Sequence, residues 1–282
     1  MIDRSKLDAL IESYWKDFRL KNDCTVVVKP SLPIIWFGEI ERYSESELKI
    51  VTVGLNPSDA EFTNAKYHNK KKGEHSFLRF PESERIANNK ELNLNNTDMI
   101  FNSLSDYFKI EPYGWFYEYE KILEILGASF GGKFDPEGKY KNCAVHIDLF
   151  SAIATSPTWR GLNKESKAFL NSVPLCFKLL EFLNPDVILI SCDHSSFEKN
   201  FKDYVHEYSF WKIGKGSEKK KSYDYLEIPR STKNKKIYRI EKYKNEDRTL
   251  IWGPYASNAF AYFSDAMKNE IFSEIRNDIL GQ

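Results

Sequence analysis

The sequence is poor in cysteine, contains no long apolar run and carries no net charge, and each of these features excludes a class of protein. The four cysteines lie at positions 24, 143, 176 and 192 without a Cys-x-x-Cys pair, which argues against a zinc or iron–sulfur site. No apolar stretch approaches the length of a membrane span, and the first residues lack the apolar segment of a signal peptide. These absences predict a soluble, cytoplasmic protein without a membrane partner.

Motifs that mark several common enzyme families are also missing. The chain has no GxxxxGK[ST], no GxGxxG and no GxSxG, which argues against phosphate-loop, dinucleotide-binding and α/β-hydrolase chemistry. The single pair His146 and Asp148 is too sparse a set of ligands to indicate a metal centre. The sequence therefore predicts neither a cofactor nor a bound metal.

The charges are balanced in total but unevenly distributed. The chain has 41 basic and 41 acidic residues, yet residues 212–244 contain twelve Lys and Arg against four Asp and Glu. That segment therefore carries a net charge of +8. A basic patch on a neutral protein is typical of a polyanionic partner, although a solvated surface loop has the same composition.

Four short apolar runs, separated by stretches with helical spacing, predict the fold class. The runs cover residues 48–55, 144–150, 186–192 and 249–252. They are rich in β-branched residues and do not alternate with polar ones, which is typical of buried parallel strands. We expect one α/β domain over residues 1–282: a three-layer α/β/α sandwich around a four-stranded parallel sheet, with insertions at about 59–96 and 212–244. The second insertion could contribute a small β-hairpin, because residues 236–243 alternate loosely. Helices are predicted at about 3–20, 97–109, 114–127, 163–183 (kinked at Pro174), 195–205 and 257–277.

Polar or unusual residues follow three of the four predicted strands. They occupy 54–58, 146–155 and 253–258. The carboxyl ends of parallel strands meet at one edge of a sheet, where open α/β sheets bind their ligands. Gly54 permits a close approach of the backbone, and Pro57 ends the strand. The sequence thus places Asn56 at this edge, unless Asn56 only forms a turn before Pro57.

The stretch Gly54-Leu55-Asn56-Pro57-Ser58 resembles the first motif of the uracil-DNA glycosylase superfamily, most closely in its mismatch thymine/uracil branch. The order of strands and turns is similar over roughly residues 34–275. The resemblance implies a four-stranded parallel sheet between helices. It also implies a monofunctional DNA glycosylase, which flips a base out of DNA and hydrolyses its N-glycosidic bond to leave an abasic site. DNA would then be the partner, with no obligate protein partner and no cofactor.

The resemblance also suggests roles for catalytic residues. Asn56 would orient the attacking water, with a carboxylate such as Asp59 or Asp148 assisting. The second motif of the superfamily usually begins with a His, whereas the matching turn at 252–258 contains none. Stabilisation of the departing base would therefore come from Asn258, Ser257 or backbone amides at the start of the last helix.

A base-binding pocket follows from the same motif. Uracil-specific members place a Tyr at the position of Ser58, so the small Ser58 leaves room around pyrimidine C5. Phe62 is the first candidate for stacking on the flipped base, with Phe77 and Phe80 as alternatives; each is equally compatible with a core position. The remaining base-binding candidates are Gly54, Leu55 and His146.

The carboxylate of Asp148 bears on the choice of base. A carboxylate accepts a hydrogen bond from an exocyclic amine such as cytosine N4, which favours a modified cytosine over uracil; alternatively, Asp148 pairs with Arg160. The superfamily is similar to bacterial anti-phage glycosylases that excise glucosylated hydroxymethylcytosine. A uracil or mismatched-thymine repair enzyme, a non-catalytic DNA-binding module and an unrelated α/β protein remain as alternatives.

Contacts with the DNA backbone would come from the basic segments. Tyr255, in the turn after the last strand, would fill the gap that the flipped base leaves. The predicted DNA-binding residues are Tyr255, Ser257, Lys70, Lys71, Lys72, Lys219, Lys220 and Lys221.

Overall fold

The computed structural model describes residues 2–62, 80, 94–110, 112–201, 207–213, 219–222, 238–245, 248–255 and 258–281. Within these ranges the helices are α1 (Arg4–Lys21), α2 (Ile40–Glu45), α3 (Leu94–Ser105), α4 (Phe116–Leu126), α5 (Lys164–Leu170), α6 (Val173–Leu183), α7 (His194–Phe201) and α8 (Asp265–Leu280). Short 3-10 turns cover Asp59–Glu61, Tyr107–Lys109 and Trp159–Gly161.

Nine strands are described in the same ranges. They are β1 (Ile50–Gly54), β2 (Ala128–Ser129), β3 (Asn142–Cys143), β4 (Val145–Asp148), β5 (Val187–Ser191), β6 (Glu207–Ile213), β7 (Lys219–Ser222), β8 (Tyr238–Asn245) and β9 (Arg248–Gly253). The short strands β2 and β3 pair with each other, and the other seven form the central sheet.

The central sheet has the order β4-β1-β5-β9-β8-β6-β7. Strands β4, β1, β5 and β9 are parallel and correspond to the four predicted runs, so the α/β class with a mainly parallel sheet is confirmed. The prediction of a sheet with only four strands is wrong, because β8, β6 and β7 extend it by antiparallel pairing. The described parts of the basic segment, residues 212–213, 219–222 and 238–244, therefore belong to the sheet.

The parallel part of the sheet lies at the centre of the core. Every residue of β1, β4 and β5 is buried. Because successive residues of a strand point to opposite faces, complete burial requires cover on both faces. Helix α1 packs on α6, and α4 packs on α8. No helix in the described ranges is long and apolar enough to cross a membrane.

Two predicted helices begin or divide differently in the structure. The stretch 163–183 forms two helices, α5 and α6, and Pro174 lies in the first turn of α6, where a missing N–H costs nothing. The last helix begins at Asp265, after Ser264 caps it by accepting a hydrogen bond from the Met267 N–H. The prediction of a helix starting near residue 257 is therefore wrong.

Candidate functional site

A cavity of about 150 Å³ lies at the carboxyl ends of β1 and β4. An apolar cavity of this size holds a benzene ring, so a single-ring base matches its volume. Residues from all three predicted strand-end stretches contribute to it. The described lining residues are Phe37, Gly54, Leu55, Asn56, Pro57, Ser58, Glu61, Tyr113, Trp115, Phe116, His146, Asp148, Thr158, Trp159, Arg160 and Tyr255.

Strand register places a buried polar pair beside the cavity. In the pairing of β1 with β4, Thr52 lies opposite His146, and Gly54 lies opposite Asp148. Thr52 Oγ1 is 2.7 Å from His146 Nδ1, and His146 Nε2 is 3.7 Å from Asp148 Oδ1. The three side chains are almost completely buried. Alternate residues of two neighbouring strands thus form a continuous Thr–His–Asp row.

The side chains of His146 and Asp148 lie so close to position 54 that only a glycine fits there. A Cβ atom at position 54 would lie 2.6 Å from Asp148 Oδ1 and 2.9 Å from His146 Nε2. Real Cβ contacts are longer, so any side chain there would displace the carboxylate. The close approach predicted at Gly54 is made by the side chains of His146 and Asp148.

Burial is the main influence on the ionisation of Asp148. It raises the pKa of this carboxyl above its ordinary value, and the neighbouring His146 acts in the opposite direction. The alternative pairing of Asp148 with Arg160 is not what the structure has. Asp148 faces His146, whereas the guanidinium of the exposed Arg160 lies 5.3 Å from the centre of the Tyr255 ring.

Aromatic rings surround His146 and form the cavity wall. The ring centres of Phe37, Trp115 and Phe116 lie 5.1, 5.5 and 5.0 Å from that of His146, all at steep interplanar angles. Tyr255 continues this wall at 6.4 Å from Trp115. Phe37, Trp115 and Phe116 were not among the predicted site residues, although the aromatic run at 113–117, which leads into α4, was a visible signal.

Two of the three candidates for stacking on a base, Phe62 and Phe80, occupy the core position that the sequence allowed as the alternative. Phe62 is completely buried and packs on Phe80 at 5.2 Å, and Phe80 is equally buried. Neither residue is among those lining the cavity, so both are core residues that anchor the loop after β1. Phe77 lies outside the described residues.

The side chain of Asn56 connects the end of β1 to the loop after β4. Its Nδ2 donates to Thr155 Oγ1 and to the Pro57 carbonyl, both at 2.8 Å. Its Oδ1 accepts from the Trp159 N–H at 3.0 Å. Because an amide oxygen has two lone pairs, one acceptor position of Oδ1 remains. Asn56 lies at the cavity as predicted, but it also holds the loop in place.

The neighbouring motif residues also have local partners. Ser58 lines the cavity, and its Oγ accepts from the Ala60 N–H at 3.3 Å, which caps the 3-10 turn after β1. Leu55 lines the cavity and pairs through its carbonyl with the Phe150 N–H at 2.9 Å. Both residues therefore lie at the cavity, and the role of this motif in binding a base stays a prediction.

The turn after β9 contributes one residue to the described cavity wall. Tyr255 is half-buried and forms part of the wall instead of an isolated wedge. Asn258 is not among the described lining residues, and Ser257 lies outside the described ranges. Because α8 begins only at Asp265, the predicted help from amides at a helix start near Asn258 is wrong.

The predicted DNA-binding lysines lie away from the described cavity or outside the described ranges. Lys219, Lys220 and Lys221 belong to β7, the last strand of the sheet, of which only the backbone is described. Five strand spacings separate β7 from β1, or roughly 24 Å. Lys70, Lys71 and Lys72 are not in the described ranges.

All four cysteines are free. In the part of the chain that the structure describes, no group of three or more His, Cys, Asp or Glu side chains is arranged to bind a metal ion.

Comparison with protein-family profiles and with curated proteins finds no match to this chain.

Proposed function

We propose that this protein is a DNA glycosylase that takes a flipped nucleobase into the aromatic cavity and hydrolyses its N-glycosidic bond. The observation that carries the proposal is the cavity itself: its volume suits one ring, aromatic side chains form its wall, and a buried carboxyl lies beside it. The cavity also lies at the edge where open α/β sheets bind ligands.

Stacking would supply much of the affinity for the base. Stacking of a base on an aromatic side chain contributes about 1–3 kcal/mol, which offsets part of the cost of unstacking the base from the duplex. Trp115 and Tyr255 are the wall residues best placed for this role, because they are half-buried and border the cavity.

The carboxyl of Asp148 would recognise a cytosine-type base. One oxygen accepts from the exocyclic amine, and a protonated Asp148 donates to the neighbouring ring nitrogen. Burial raises the pKa of Asp148, which favours this protonated form. Uracil has an N–H at that ring nitrogen, so an acid there does not activate it.

Hydrolysis of the N-glycosidic bond would use the proton of Asp148 and a water held by Asn56. The bond between sugar C1′ and the base nitrogen breaks, and its electron pair leaves with the base, while the Asp148 proton moves to the ring nitrogen. The sugar develops positive charge, as in glycoside hydrolysis. A water bound to the remaining lone pair of Asn56 Oδ1 adds to C1′ and gives its proton to solvent, and Asp148 is protonated again from solvent once the base has left. An abasic site remains.

The proposed target is a modified cytosine, including bulky forms such as glucosylated 5-hydroxymethylcytosine. The small Ser58 on the cavity wall leaves space beside the base. A substituent as large as a sugar exceeds a volume of about 150 Å³ and would extend through the open side. Uracil and mismatched thymine are the alternative substrates.

One observation favours a second candidate, a non-catalytic DNA-binding module. Asn56 makes four hydrogen bonds within the protein through its side chain, which is sufficient to explain its presence without catalysis. This candidate predicts binding of the modified DNA without bond cleavage.

A panel of duplexes separates these candidates. Each duplex contains uracil, a G·T mismatch, 5-hydroxymethylcytosine or its glucosylated form, and alkali reveals abasic sites as strand breaks. We expect breaks with a cytosine-type base, strongly reduced in Asp148→Asn and unchanged in Lys178→Gln, an exposed residue of α6. Binding without breaks on every duplex would favour the module, and absence of binding would contradict both candidates.

A further inference from the structure

The buried Thr52–His146 contact beside the cavity has a consequence for hydrogen positions. Two arrangements satisfy the 2.7 Å distance between Thr52 Oγ1 and His146 Nδ1. Either the Thr52 hydroxyl donates to a bare Nδ1, and the imidazole proton is on Nε2, or Nδ1–H donates to Thr52 Oγ1. The two arrangements present opposite hydrogen-bonding groups to Asp148.

The hydroxyl of Thr52 decides between them. Thr52 is completely buried, and the contact with His146 is the hydrogen bond that its side chain makes in the described structure. If Nδ1–H were the donor, the Thr52 hydroxyl proton would have no acceptor. A buried hydroxyl without a partner costs about 1–3 kcal/mol. The arrangement with the Thr52 hydroxyl as donor and the proton on His146 Nε2 is therefore favoured.

The tautomer of His146 determines which of the two oxygens of Asp148 carries the acid proton. His146 Nε2 lies 3.7 Å from Asp148 Oδ1. This distance is too long for a hydrogen bond, so the influence of His146 is electrostatic: a proton on Nε2 favours Oδ1 as the oxygen without a proton, and the acid proton of Asp148 is placed on Oδ2. With a bare Nε2, the carboxyl proton would instead be drawn to Oδ1, toward the histidine.

The position of that proton matters for base selection. A neutral carboxyl has one donor and one acceptor, and exchanging them reverses the pattern it recognises. One orientation matches a ring nitrogen acceptor beside an exocyclic amine, as in cytosine. The other matches a ring N–H beside a carbonyl, as in uracil.

We propose that Thr52 is a positioning residue that, through His146, fixes which oxygen of Asp148 carries the acid proton and so makes the cavity discriminate between cytosine-type and uracil-type bases. The proposal rests on the proposed glycosylase function for its readout in base release. Its first step, the tautomer of His146, is independent of any activity.

The first test is the tautomer of His146 by ¹⁵N NMR of the whole protein, in which only five histidines require assignment. We expect the neutral ring to carry its proton on Nε2. A proton on Nδ1 overturns the proposal, whether or not the protein releases any base. Failure of the glycosylase function alone leaves this result unaffected.

The second test compares Thr52→Val with Thr52→Ser, which keeps the hydroxyl. The ratio of kcat/KM for duplexes with 5-hydroxymethylcytosine and uracil is measured for each. We expect Thr52→Val to reduce this ratio about tenfold or more, in line with the loss of a buried hydrogen bond, and Thr52→Ser to retain most of it. Thr249→Val, the same change at another buried strand position, is the matched control.

An unchanged ratio in a folded Thr52→Val protein overturns the proposal, as does an equal reduction in Thr249→Val. If Thr52→Val does not fold, the Thr52→Ser ratio and the wild-type tautomer remain decisive. If the wild type releases neither base, the proposed function fails, and the tautomer alone decides whether Thr52 sets the proton position.

Discussion

A buried carboxyl in the helix behind the aromatic wall gives a prediction with a definite magnitude. Glu120 lies in α4, is almost fully buried, and accepts a hydrogen bond from the Phe130 N–H at 3.0 Å through Oε2. No hydrogen bond reaches its Oε1 in the described structure. Burial, as the largest influence, raises the pKa of Glu120 from its ordinary 4.5 to about 7.

The direction in which stability changes with pH follows from proton binding by Glu120. The folded protein holds the Glu120 proton more tightly than the unfolded chain, so its stabilising contribution is complete below pH 4.5 and is lost as pH rises toward 7 and above. At 1.36 kcal/mol per pKa unit, the loss is about 3 kcal/mol. Glu120→Gln resembles the protonated form and escapes this loss.

Urea unfolding at pH 5 and pH 8 measures the difference. We expect Glu120→Gln to be close to wild type at pH 5 and more stable by about 3 kcal/mol at pH 8. Glu124→Gln, an exposed position in the same helix, serves as the matched control and should change little at either pH. An equal effect of Glu120→Gln at both pH values, or a loss of stability at pH 8, would refute the reasoning.

Three further predictions concern the cavity. Asp148→Asn should stabilise the protein at neutral pH and lose this gain in acid, because the folded-state pKa of Asp148 is raised. Thermal unfolding at pH 7 and pH 4 measures this difference in stability. The same variant should fail to release a base. Gly54→Ala should cost about 1–3 kcal/mol in urea unfolding and reduce base release, because its Cβ meets Asp148 and His146. Arg160 is exposed and borders the cavity, which places its guanidinium where it can contact a phosphate beside the flipped base. Arg160→Gln should therefore lower the magnitude of the slope of log K against log salt for DNA binding by about one, whereas Lys178→Gln should not; a parallel loss in both would contradict a local phosphate contact.

The parallel strands were predictable because their signal is local. Runs such as 50–54 and 187–191 are continuous and β-branched, and each is buried over its whole length. The three additional strands were less visible, since residues 207–245 are highly charged and their pairing depends on partners distant in the chain. The loose alternation at 236–243 indicated a small hairpin in the basic segment, but it did not indicate that the described strands of this segment extend the main sheet.

In the candidate site too, residues with a local sequence signal were predictable, whereas contacts that depend on three-dimensional packing were not. The sequence placed Asn56, Ser58, His146 and Asp148 at one edge because strand ends of a parallel sheet converge. It selected Phe62 for its nearness to the motif, but three-dimensional packing buries that ring. The hydrogen bond from Trp159 to Asn56 joins residues 103 positions apart, and no local pattern reveals it.

The most direct test of the account is the identity of what the protein releases from DNA. Under single-turnover conditions, duplex DNA containing 5-hydroxymethylcytosine or its glucosylated form is incubated with wild type, Asp148→Asn and Lys178→Gln, and the free base is identified by mass spectrometry. We expect a free cytosine-type base with wild type and Lys178→Gln and at most a trace with Asp148→Asn. DNA that is bound yet releases no base with any of these proteins would contradict it.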